Sequence, residues 1–128
     1  MSIKFERKNS IMDMEILGEK FEVDFSRDEI AIVLAEVSDN MTNIEKGLDI
    51  EEGTIKRATT EILEKLKEEA RRGINIILND DTACERMFKD NNSMALHEEV
   101  YDFLVTQYSK YKEKRFEKYT PNRAQRRK

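Results

Sequence analysis

An α+β fold, mostly α, with an N-terminal β-hairpin packed on a small helical bundle of three main helices and one short one, is predicted by three features of this sequence. Between Ile11 and Phe25, apolar and charged residues alternate on both sides of a glycine, the period of paired strands with one apolar face. Further on, Ile55, Ala58, Ile62, Leu66, Ala70, Ile74 and Ile77 recur at spacings of three and four, which a 3.6-residue period gathers on one side of a long helix. The same spacing returns in a stretch before that helix and in another after it.

At 128 residues the chain has the size of one domain with one modest core. Its expected organisation is a flexible N-terminus over 1–10, a single domain over 11–119 and a basic C-terminal tail over 120–128. Ile3 and Phe5 are isolated apolar residues in the first stretch. In the hairpin, Met12, Met14 and Ile16 alternate with Asp13 and Glu15, Leu17-Gly18-Glu19-Lys20 forms the break, and Phe21, Val23 and Phe25 follow. Gly18 supplies a positive φ at the turn. A lone hairpin is marginal in water, so the apolar face requires a helix beneath it.

Ser26 stands three residues before Glu29, the spacing of a capping box that opens a helix. Ile30, Val33, Leu34, Val37, Met41, Ile44 and Leu48 form its apolar side, and Gly47 is a C-terminal stop. A short link through Gly53 leads into the central helix, which makes the two helices antiparallel. Leu63, Ile76 and Leu78 lie off the central helix's main line and widen its apolar surface. Asn79-Asp80-Asp81 is suited to capping the end of one helix and the start of the next. A two-turn helix is expected over 82–89, anchored by Met87 and Phe88. Asp90-Asn91-Asn92-Ser93 then caps a last helix carrying Leu96, Val100, Phe103, Leu104, Tyr108 and Tyr111, and Pro121 ends helix formation.

The charges are segregated. Residues 110–128 hold nine Lys/Arg against two Glu, a net +7, while the other 14 basic and 25 acidic side chains give residues 1–109 a net −11. Such a distribution can steer an acidic partner to the tail and a basic one to the body, or bring copies together head to tail. Charged residues make up 39% of the chain and apolar ones 38%, so much of each helix is wet. No apolar run has the length of a membrane span or a signal peptide, and a single cysteine fits a reducing compartment.

Residues able to perform covalent or acid–base chemistry are not grouped in a recognisable spacing, so an enzyme is not expected, nor a cofactor or metal. HEEVY at 97–101 lacks the second histidine of a zinc-protease motif. His97 therefore reads as a surface or half-buried structural residue, and Cys84 as a small buried filler. The NDD run lacks the spacing of a calcium loop. The basic tail with Tyr108, Tyr111, Phe116 and Tyr119 permits a second reading, a small nucleic-acid-binding regulator, although the acidic body repels nucleic acid.

The element order, together with the block ILNDDTACERMFKD at 77–90 and NRAQRR at 122–127, resembles the tail assembly chaperones of long-tailed phages and prophages of Gram-positive bacteria. The resemblance implies a non-enzymatic factor in the host bacterial cytoplasm, absent from the mature virion. It would bind and solubilise the tape measure protein and recruit tail tube protein, with homo-oligomerisation open. The candidate partner-binding residues are Tyr101, Val105, Tyr108, Tyr111, Arg115 and Phe116 on the last helix, with Arg123, Arg126 and Arg127 in the tail. Met12, Met14, Met41, Met87 and Met94 fit either a core or an adaptable binding surface.

Overall fold

The computed structural model describes residues 2–5, 10–46 and 55–119, with 55–59 and 116–119 described by backbone alone. The order is β1 (Ile11–Ile16), β2 (Glu19–Asp24), α1 (Asp28–Lys46), α2 (Ile55–Leu78), α3 (Ala83–Met87) and α4 (Met94–Tyr119). An N-terminal antiparallel hairpin followed by mostly helical structure makes this an α+β fold dominated by helices.

The hairpin register pairs Met12 with Val23, Met14 with Phe21 and Ile16 with Glu19. Its turn is only Leu17-Gly18, both with positive φ, 51° and 81°. Two left-handed central residues define the turn whose twist matches that of the flanking strands. Glu19 and Lys20, expected in the break, therefore belong to β2. Met14, Ile16, Phe21, Val23 and Phe25 are buried on one face. Met12, expected on that face, remains 37% exposed although its cross-strand partner Val23 is buried. Ile3 and Phe5 are exposed, whereas Ser10 is buried and its carbonyl accepts from the Phe25 amide at 3.0 Å.

Asp24 turns the chain from sheet to helix. Its Oδ1 accepts from Ser10 Oγ at 2.7 Å, Ser26 N at 3.0 Å and Ser26 Oγ at 2.6 Å. The Ser26 hydroxyl thus donates to a carboxylate, the strongest acceptor within reach, and α1 starts one residue later than the capping-box spacing suggested. Arg27 then reaches the far end of α2. Its Nη1 and Nη2 donate to the carbonyls of Ile77 and Ile76 at 3.2 and 2.7 Å, placing a cation on the negative, C-terminal end of the helix.

Further along, Arg72 Nη1 lies 4.0 Å from Glu36, and Asn40 Nδ2 donates to Glu69 at 2.8 Å. Residue numbers rise on α1 as they fall on α2, so the pair is antiparallel. Gly47, Leu48 and Gly53 lie outside the described residues. Ile30, Val33 and Val37 of α1 face Ala70, Ile74, Ile77 and Leu78 of α2 in the buried layer.

Helix α2 ends as the NDD run suggested. Asn79 adopts φ 54°, its amide donates to Ile76 O at 3.2 Å, and the Asp80 amide donates to Asn75 O at 3.0 Å. These two bonds are those of a Schellman cap. Asp80 Oδ1 then accepts from the Thr82 amide and hydroxyl at 2.9 and 2.8 Å, and Asp80 Oδ2 pairs with Arg86. Helix α3 is shorter than expected, five residues, with the Cys84 amide in its first turn donating to Asn75 Oδ1 at 3.1 Å. Met87 and Phe88 are buried anchors, 5% and 2% exposed.

Candidate protein-binding surface

Helix α4 carries most of the residues singled out as partner contacts. Ser93 caps it, its Oγ accepting from the Leu96 amide at 3.2 Å. One turn in, His97 is fully buried, a correction to the expected surface or half-buried site. Its ring stacks on Phe88 with centroids 3.8 Å apart, Nδ1 donates to Ser93 O at 2.7 Å, and Nε2 accepts from Arg71 Nε at 3.0 Å. Both ring nitrogens are satisfied only in the neutral form with the proton on Nδ1. Burial, together with the Arg71 and Lys67 charges, lowers the histidine's pKa, opposed by its bond to Ser93. Cys84 is the expected buried filler, its thiol donating to Arg71 O at 3.6 Å and its pKa pushed up to about 12 by burial.

From there α4 crosses α2 at Gly73. A Cβ on Gly73 would meet Val37 Cγ2 at 3.0 Å and Tyr101 Cε2 at 3.2 Å, so the glycine is where α1 and α4 both press closest to α2. Tyr101 is half-buried in this contact, and burial raises its pKa. Val100 and Leu104 continue the buried line, and Val105 is half-buried. Phe103, expected in the core, is 40% exposed, since the residue before a fully buried Leu104 lies about 100° round the helix.

Tyr108 and Tyr111 close over the hairpin. Their ring centroids lie 6.0 and 5.8 Å from that of Phe25, the latter pair stacked at 26°. Lys112 Nζ sits 5.5 Å above the Tyr108 ring. Lys110, Lys112, Lys114 and Arg115 are exposed. Phe116 lies in the helix with its side chain outside the described atoms, and Arg123, Arg126 and Arg127 lie outside the described residues. The structure thus gathers Tyr108 and Tyr111 around Phe25, sets Tyr101 apart at Gly73, and leaves Arg115 in solvent.

A second surface carried no motif. Helix α4 meets α2 first at Arg71, whose guanidinium donates to both His97 and Asn92, and then runs toward Gly73 and Phe25. The first three turns of α2 and the last two of α1 therefore form a two-helix arm that α4 does not cover. Met41, Ile44 and Ile62 are half-buried along it and Leu63 is 40% exposed. An open groove between the helices is lined by Asn40, Asn43, Ile44, Glu61, Ile62, Lys65 and Glu69.

Among the described residues, no cluster of His, Cys, Asp or Glu is arranged to hold a metal ion, and no helix is long and apolar enough to cross a membrane. Residues 17–128 match a protein family of unknown function, DUF6673. The chain belongs to that family. No curated protein and no solved structure matches it.

Proposed function

We propose that this protein is a non-enzymatic tail assembly chaperone of a long-tailed phage or prophage. In this reading it works in the host bacterial cytoplasm, binds and solubilises the tape measure protein, recruits tail tube protein, and is left out of the finished virion. The observation that carries the binding role is the α1/α2 arm, which no other described element covers. Two antiparallel helices do not make a complete layer, and Met41, Ile44, Ile62 and Leu63 lie along them only partly covered. An amphipathic helix laid in such a groove supplies the missing layer through anchors at i, i+3, i+4 and i+7. The many charges around the seam keep it dissolved until then.

Ring packing disfavours the nucleic-acid reading. Tyr108 and Tyr111, the described members of the tail aromatics, place their faces on Phe25 and on each other, leaving less ring surface for stacking on bases.

Co-expression with the tape measure protein and tail tube protein of the same phage or prophage, followed by pull-down and light scattering, tests the proposal. The intact chain is expected to hold the tape measure protein soluble, and Ile62→Asp with Leu63→Asp to lose it while retaining the native circular dichroism spectrum. A tape measure protein that stays insoluble and unbound beside the intact chain rejects the reading.

A further inference from the structure

From the placement of charge we infer that the basic end of α4 docks on the outer face of the hairpin of a second copy, so that the protein associates head to tail. This does not depend on the chaperone reading. Lys110, Lys112, Lys114 and Arg115 fall within less than two turns of α4, starting between Tyr108 and Tyr111, are exposed, and form no ion pair with any described residue. The counterpart lies on the hairpin. Asp13 and Glu22 are direct cross-strand partners, both exposed and neither in an ion pair with a described residue. Like charges opposite each other destabilise a strand pair, and a cation laid between them removes that cost. Ile11, 44% exposed, lies on the same face two residues from Asp13 and offers apolar surface to lysine stems.

Within one molecule the two patches do not meet. Asp13 and Glu22 project from the face opposite Met14, Phe21 and Phe25, whereas α4 packs on the inner side, against Phe25. A second copy brings them together, and the net +7 of residues 110–128 against −11 for the rest extends the match over the whole molecule. Because the two patches differ, the contact is heterologous and leaves one of each free, so growth continues into a ring or a filament.

Sedimentation velocity on the full chain at about 0.05 M and about 0.5 M salt tests this, since exposed charges are screened over a few ångströms at the higher value. Species heavier than the 15.2 kDa monomer are expected at low salt, reverting to monomer at high salt. Lys110→Glu/Lys112→Glu/Lys114→Glu/Arg115→Glu is expected to be monomeric at both, as is Asp13→Lys/Glu22→Lys. Mixed together, the two variants are expected to associate again, which also shows that each is folded. A wild-type chain that stays monomeric at low salt, an assembly that survives the single-patch reversals, a mixture that fails to associate, or a heavy species removed by nuclease overturns the proposal.

Discussion

Arg71 and His97 are joined side chain to side chain, Nε of the guanidinium donating to Nε2 of the imidazole across 3.0 Å in the buried junction of α2 and α4. A protonated His97 has no lone pair left for that bond and places a second cation beside the first. The folded state therefore holds the histidine's pKa below its ordinary value of 6.5, chiefly through burial. For a base with a depressed folded pKa, stability is fully present above the unfolded value and falls as pH drops below it. The urea midpoint is therefore expected to hold steady at neutral and mildly alkaline pH and to decline as pH falls below about 6.5. His97→Gln is expected to flatten that step. Glu69 and Asp80, held below the ordinary carboxyl values of 4.5 and 3.8 chiefly by hydrogen bonds from Arg72 and Thr82, add a separate loss only below those values.

Gly73 reports on how tightly three helices meet. Gly73→Ala gains about 1 kcal/mol of helix propensity but sets a methyl 3.0 Å from Val37 Cγ2 and 3.2 Å from Tyr101 Cε2. Val37 is fully buried and stiff about its Cα–Cβ bond, so overlap is expected to win and the variant to lose stability. Gly73→Leu is expected to cost about 3 kcal/mol or more. Thermal melts of Gly73→Ala with and without Tyr101→Ala check the source, since removing the tyrosine ring should relieve part of the loss.

Arg27 ties the start of α1 to the end of α2 through two carbonyls. Arg27→Ala is expected to cost about 1.5–3 kcal/mol, the range for hydrogen bonds to a charged group. Arg27→Lys should recover only part of this, because an ammonium cannot reproduce the fork. Chemical denaturation of the three proteins reads the order directly.

Leu17 holds φ 51° in the hairpin turn while 49% exposed. A non-glycine residue there costs about 1–2 kcal/mol. Asparagine before glycine is the favoured pair for this turn, so Leu17→Asn is expected to raise the melting temperature by a few degrees. An unchanged or lower value would mean that the leucine side chain contributes packing that outweighs its backbone strain.

Periodicity revealed the main elements, because period two and period 3.6 are properties of neighbouring residues. The two strands, the long helices, Met87 and Phe88 as anchors and the capping role of Asn79-Asp80-Asp81 were all legible in that way. What escaped depends on distant partners. His97 is a polar residue until Arg71 and Phe88 are brought to it, and Arg27 shows no sign of its reach to Ile76 and Ile77. Gly73 carries no local signal in the sequence, yet it is where α1 and α4 both approach α2. Tyr108 and Tyr111 read in the sequence as part of the last helix's apolar line and as candidate partner contacts, and their packing on Phe25 was not legible because that ring comes from the other end of the described fold. The uncovered arm emerged only from where α4 starts relative to α2, a relation no local pattern encodes.

The Phe25 contact sets an order on folding. During synthesis the hairpin emerges early, and its inner face already has α2 available once residue 78 has left the ribosome. The tyrosines that complete its cover arrive only with the last helix, and contacts so remote along the chain form slowly. Until then the Phe25 ring waits without its lid, so a chain stalled or cut before residue 108 offers proteases and chaperones a sheet end that the finished protein hides.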